Sequence, residues 1–383
     1  FRLSNRPLAS RSATMASSLH SSQHVEWESE MDYGDSPEEG AFRDRLRRWL
    51  TEDRSWSSAS STDDEYWTRQ ASWHTALFEA GFFALAWPKK WGGQELHHTF
   101  EVIVDEELAR AGAPPKPSLG YLIQGISRFG SEELCDRFIP GLISGRDRWC
   151  QGFSEPDAGS DLASLQTTAV LDGDEYVIEG HKIWTSYSDV AEWCLLLART
   201  DPDVPKHRGL SVFAIPMNQS GIEQRPLRMI NGVSNEFGQV TFDGARVTAE
   251  NLIGEPGQGW ALAMTIVAFE RQPAELGYVA RYAKTVSELE GDVRSDPDST
   301  RREIAEHIAW AHVQSEMLRL HVCRRLSERL DDPDGGVHGS IDKLLMTWTE
   351  QSVGQAARHA AGSATSQAGG DSRLGTYLYS RSQ

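Results

Sequence analysis

GFSEPDAGSD (152–161) and KIWTS (182–186) each set an aromatic ring and hydroxyls beside residues suited to tight turns, between stretches that read as strands. Two readings are open. The stretches are loop punctuation on a β-sheet, or they are two walls of one pocket whose hydroxyls face a flat polar ligand. Around them EYVIEGHKIWTS, EWCLLLART, GLSVFAIPM, GIEQRPL and FGQVTFDGARV read as short strands, divided by the turn-forming segments DGD, DPDVPKHRG and NQSG. They make a middle β domain over 150–254.

Outward in both directions the period changes from two to that of helices. FRDRLRRWL, EYWTRQASWHTALFEAGF and TFEVIVDEELARAG carry apolar residues at three- and four-residue spacing. AWPKKWGGQ interrupts them as a turn, and together they form an N-terminal helical domain over 36–149. After Trp260 one helix is expected over 260–290, broken or kinked near Pro273 and closed by GDVRSDPDST. Two more are expected over 301–330, ended by DDPDGG, and over 341–361. The expected fold is α+β: a helical N-terminal domain, a small middle β-barrel or sandwich, and a C-terminal four-helix-bundle-type domain over 255–383.

The 383 residues carry 38 Lys and Arg against 56 Asp and Glu, a net charge of −18, which argues against non-specific nucleic-acid binding. Thirteen Trp suggest large apolar pockets or interfaces. Cys135, Cys150, Cys194 and Cys323 show no metal-binding spacing and read as reduced thiols of a cytoplasmic protein. His97, His98, His207 and His307 form no ligand grouping, so no metal is expected. No apolar run is long enough for a membrane span. Residues 1–35 are set outside the fold. Residues 1–25 are Ser- and Arg-rich without an acidic residue, as in a mitochondrial transit peptide for the matrix, or as in a tag or read-through before Met15.

GFSEPDAGSDLASLQT, KIWTSYSDVAEWCLLLART and GQGWALAMTIVAFER, in this order and spacing, resemble the acyl-CoA dehydrogenases, and AWPKKWGGQ is similar to a turn of their helical domain. The resemblance covers about residues 40 to 383. SLGYLIQ, WCQGFSEP and TDPDVPKHRG resemble most the branch associated with bulky, branched or steroid side-chain acyl groups. What the resemblance implies is an FAD site between the β domain and the C-terminal bundle. Phe153 and Ser154 would lie along the flavin ring, and Gly159 and Ser160 would approach the pyrophosphate and the pantetheine arm. Trp184 would cover the ring face away from substrate, and Ser186 would donate toward N5. Gln151 and Thr185 belong to the same cofactor-binding set; Ser160, Phe269 and Arg271 are expected to touch substrate.

The chemistry implied is removal of a proton from Cα of an acyl-CoA thioester with hydride transfer from Cβ to N5, which requires a carboxylate base and stabilisation of enolate-like charge. The family places its base at one of two positions. Glu270, directly before Arg271 on the first long bundle helix, occupies one. The other lies on a loop beyond the segment GTYLYSRSQ in which this sequence ends, and that loop also supplies an oxyanion donor. A truncated C-terminus is therefore expected. Two departures stand out: RYAKTVSELEGDVRSDPDS lacks the family's aromatic–Gly pair, and AAGSATSQ replaces its Gly-rich turn. Three functions remain open. They are a dehydrogenase passing electrons to an electron-transfer flavoprotein, an acyl-CoA oxidase using O2, and a non-catalytic subunit of a heteromer. A homo-tetramer or hetero-oligomer is expected.

Overall fold

Ser36 opens the first helix with a reciprocal cap. Its hydroxyl accepts from Glu39 N–H at 3.3 Å, while its own N–H donates to the Glu39 carboxylate at 2.8 Å. The helix that follows, α1 (Pro37–Glu52), buries Phe42, Leu46 and Leu50, one residue per turn. These details come from a computed structural model, which describes residues 35–52, 63–117, 120–230, 236–271, 276–295, 301–331, 339–361, 377, 378 and 380. The proposed leader, Pro273, most of AAGSATSQ and most of the final GTYLYSRSQ lie outside the described residues.

Four more helices complete the N-terminal layer: α2 (Asp63–Glu79), α3 (His98–Ala111), α4 (Gly120–Phe129) and α5 (Glu132–Ser144). The WPKKWGG segment contains a short 3-10 turn over Lys89–Trp91, where the sequence suggested a plain turn. The chain then enters a mixed sheet of β1 (Trp149–Gly152), β2 (Thr168–Asp172), β3 (Glu175–Ser186), β4 (Trp193–Arg199), β5 (Leu210–Pro216), β6 (Ile222–Leu227), β7 (Phe237–Thr248) and β8 (Leu252–Ile253). Their order is β6-β7-β3-β2-β4-β5-β8, with β1 beside β4. Pairing is antiparallel except at β1–β4 and β2–β4.

The sheet has two cores. Tyr176, Ile178, Leu196, Phe213, Ile215, Val240 and Phe242 pack on one another inside the β domain. The alternate residues Leu195, Leu197, Val212 and Ala214 face the helical layer and join Phe138, Leu142 and Trp149. Strands β4 and β5 are thus covered on both faces, which is why WCLLLA and LSVFAI read as unbroken apolar runs.

Four C-terminal helices follow: α6 (Gly259–Glu270), α7 (Leu276–Ser295), α8 (Arg301–Asp331) and α9 (Gly339–Ala361). The helix expected over 260–290 is two, with α6 ending at Glu270. GDVRS does not close α7 but forms its last turn. Helices α7, α8 and α9 share a third core that includes Val286, Leu289, Ala311, Leu318 and Val353. Helix α6 belongs to the first core through Leu262, Ala263 and Ile266, and so stands between the sheet and α4.

Candidate active site

Strand β1 runs parallel to β4 with Gln151 opposite Leu195, and at Gly152 it delivers the chain into FSEP. The neighbouring wall is the end of β3. There Ile183 N–H donates to the Ser154 carbonyl at 2.9 Å. Below it the Lys182 ammonium donates to the Phe153 carbonyl at 3.0 Å and to the Glu155 carboxylate at 2.8 Å. Glu155 also accepts from the backbone N–H groups of Gln166 and Thr167 at 2.6 and 2.9 Å. GFSEP and KIWTS are therefore bonded to each other, and they form one wall.

Lys182 has no accessible surface and Glu155 very little. Burial pulls the Lys182 ammonium down to about 8 against the attraction of Glu155. Glu155 stays below the usual carboxylate range because Lys182 and its hydrogen bonds outweigh its own burial. The sequence reading assigned neither residue a role.

The pairing of β3 with β7 slips between Lys182 and Thr185. The slip is a bulge, and bulges re-aim side chains. Trp184 sits in it at φ +59° and keeps 61% of its surface accessible, its ring edge-on to Phe237 at 6.1 Å. A bulky residue at positive φ is strained backbone, here serving to present an indole outward. Thr185 next to it is buried, with its hydroxyl oxygen unpartnered. Ser154 and Ser186 are half-buried, while Phe153 packs beneath. Gly159 and Ser160 are exposed at the tip of the first motif. A Cβ on Gly159 would meet nothing within 4 Å, so the protein's own packing does not require glycine there.

Glu270, the last residue of α6, meets this wall at Gln151. Gln151 Nε2 donates to its carboxylate at 3.4 Å, and the Gln151 Oε1 is buried without a partner. Glu270 keeps accessible surface, yet burial by the surrounding protein pushes its carboxyl above the ordinary value, against the opposing pulls of Gln151, Lys343 and Arg271. The carboxylate is thus reached by solvent and crowded by protein neighbours at once. Arg271 does not pair with Glu270; its guanidinium donates to Ser340 at 3.1 Å. Arg128 lies over the Phe269 ring at 5.1 Å. Tyr121, on α4, is held protonated by burial and by the charge of Glu270. The sequence reading gave it no part, although it lies within the SLGYLIQ segment that carried the resemblance.

Two family models match the chain. The acyl-CoA dehydrogenase N-terminal domain matches over 36–146, and the middle domain of the same family over 150–245. The chain belongs to the acyl-CoA dehydrogenase family. Acyl-CoA dehydrogenase IpdE1 of Mycobacterium tuberculosis is 34% identical over 331 residues, 84% of this chain and 85% of that one. Among solved structures, the ChsE4-ChsE5 complex from M. tuberculosis superposes with a TM-score of 0.76 at 26% identity, covering 92% of this chain and 93% of that one. The Tcur3481-Tcur3483 steroid ACAD gives 0.74 at 26% identity, with coverage of 92% and 93%. These relatives lie in the branch that the sequence motifs resembled.

The wall has features that a flavin site needs. A buried hydroxyl without a partner, Thr185 Oγ1, adjoins an outward-facing indole. The glycine at the wall's tip leaves room for a ligand. The residues present fit the group.

Proposed function

We propose that this chain is an FAD-dependent acyl-CoA dehydrogenase that converts a saturated acyl-CoA into its 2-enoyl thioester, with Glu270 as the base. The observation that carries this is the Glu270 carboxylate at the end of α6, bonded by Gln151 of β1 at the edge of the β1–β3 wall and pushed up by burial. A raised carboxyl is a stronger base, as removal of an α-proton requires. FAD, when bound, would supply the acceptor for the hydride from Cβ, and Glu270 would take the proton from Cα. Phe153, Ser154, Thr185 and Ser186 would hold and Trp184 cover it, with Gln151 beside them; Gly159 and Ser160 would receive its phosphates and the arm of CoA. Phe269 and Arg271 would flank the acyl thioester. Electrons leave to an electron-transfer flavoprotein.

Likeness to a steroid ACAD supports a bulky or branched acyl group. Relatives solved as two-protein complexes support a hetero-oligomer. The chain's free thiols and its bacterial relative support a cytoplasmic location. Among the described residues no helix is long and apolar enough to cross a membrane.

The test is anaerobic titration with straight-chain, branched and steroid side-chain acyl-CoAs, for wild type and Glu270→Gln. The wild-type flavin band should bleach. The variant should keep its flavin and reduce it at least about 10²-fold more slowly. Unchanged bleaching in the variant would remove Glu270 as the base, and a chain that binds no flavin would mark it as the partner of another subunit.

A further inference from the structure

We infer that the Gln151 amide is a positioning residue for Glu270, bonding the base first as a carboxylate through Nε2 and then, once it carries the proton, as a carboxylic acid through Oε1. The inference rests on the reading of Glu270 as base.

The two residues are 119 positions apart in sequence and meet at 3.4 Å, one from β1 and one from the end of α6. Gln151 is fixed from below, since its backbone stands in the parallel register of β1 on β4. The other end of its amide, Oε1, is a buried acceptor with no partner. Buried polar atoms are nearly always bonded, so an orphan acceptor beside a base calls for a use. A carboxylate only accepts hydrogen bonds, whereas a carboxylic acid has one to donate. A side-chain amide carries a donor and an acceptor on one planar group, and its terminal torsion is broad and two-fold. Turning over in place, Gln151 satisfies both states of Glu270 without moving β1. A hydrocarbon there would serve neither state; a second acid would repel the first.

Other charged and titratable groups face Glu270 from each side. Arg271 lies beside it just past the end of α6 with its guanidinium on Ser340, Lys343 acts from α9, and Tyr121 from α4 is in turn influenced by Tyr187. The two cations act on Glu270 through charge at a distance, and Gln151 through a hydrogen bond that is charge-assisted, and so stronger, to the carboxylate than to the acid.

The experiment measures kcat and kcat/KM against pH for flavin-loaded wild type, Gln151→Met and Gln151→Glu, using the acyl-CoA of the panel that bleaches the wild-type flavin fastest. Removing the donor from the ionised form raises the acid limb of kcat/KM. In flavin-loaded Gln151→Met it should move up by about one pH unit, with kcat reduced on the order of tenfold. In Gln151→Glu, where a like charge is added, it should move further. An acid limb that stays in place in either variant overturns the inference. Should Gln151→Met fail to fold or to hold flavin, the Gln151→Glu profile decides alone. The Glu270→Gln titration separates the two claims: if that variant still reduces its flavin, the base itself is misassigned, and if it does not, an unmoved limb speaks against Gln151 only.

Discussion

Lys182 shows how much a single position can tell. On β3 the inward side chains are Tyr176, Ile178 and Lys182, so a lysine stands where alternation demands a core residue. That pattern is legible in EYVIEGHKIWTS and announces a buried partner, but sequence alone does not say which acid supplies it. Glu155, 27 residues away, does so only because β1 and β3 are brought side by side. Lys182→Met strands a buried carboxylate and should cost about 3–5 kcal/mol, towards the lower end because two backbone N–H groups still hold Glu155. The double variant Lys182→Met with Glu155→Gln should recover much of the loss. Urea unfolding of the three proteins, with flavin content read alongside, checks this; a double variant no better than the single would show that the pair is not coupled. His74 makes a second residue-scale case. Burial pulls its imidazole down to about 4, against a hydrogen bond with the Ile143 carbonyl at 2.9 Å that opposes the shift. Between pH 4 and 6.5 the unfolded chain binds the proton and the folded one does not. The stability contributed is therefore fully present above about 6.5 and falls as pH drops towards 4, by about 3 kcal/mol in all. Urea midpoints at pH 7.5, 5.5 and 4.5 should decline in wild type and decline less in His74→Phe.

At the scale of elements, the position of α6 decides whether Glu270 meets its wall. Two glycines hold it. A Cβ on Gly259 would lie 2.6 Å from the Leu210 carbonyl of β5, and one on Gly125 of α4 would lie 2.6 Å from Ile266. Gly259→Ala presses on backbone that cannot yield, and should cost about 1–3 kcal/mol while slowing flavin reduction as α6 shifts. Gly291 in α7 has nothing within 4 Å, so Gly291→Ala should be neutral or stabilise by about 0.4–1 kcal/mol. Thermal unfolding of both proteins, with reduction rates, distinguishes a local packing demand from a general intolerance of substitution. The strands that could be read, β3 to β7, were framed by turn residues and had length enough to show a period. The strands that escaped reading lacked these marks. β8 has two residues and β1 four, while β2 leaves Val170 and Leu171 exposed, so its outer half follows no inside–outside alternation. The division of α6 from α7 was signalled by Pro273, but the end of α7 was not. GDVRS is polar enough to resemble a linker, and it remains helical because Leu289 just before it and its own Val293 pack on the C-terminal core.

Among the described residues, the C-terminal helices keep an apolar, exposed face. Trp310, Val313, Met317 and Leu320 on α8, with Ile341, Leu344 and Trp348 on α9, are each between 45% and 60% exposed. Between the two helices lies a cleft lined by His307, Trp310, Gln314, Trp348, Gln351, Ser352 and Gln355. Helical periodicity alone does not reveal this face, because an apolar residue that meets another subunit looks in sequence like one that meets the core. The oligomer expected from the family resemblance had no residues attached to it until the C-terminal helices were placed. Aromatic residues and Met concentrated on one face suit an interface core. Under the proposed hetero-oligomer, this face would take a second subunit. Sedimentation velocity should find the protein, with its partner chain where one is co-expressed, in an assembly of more than one subunit. Trp310→Glu combined with Trp348→Glu buries two charges in that contact and should release single subunits without lowering the folded fraction, since both side chains already face outward. An assembly that survives both substitutions would place the contact elsewhere. A wild-type chain that sediments alone at micromolar concentration with flavin bound would show that this face is not a subunit interface.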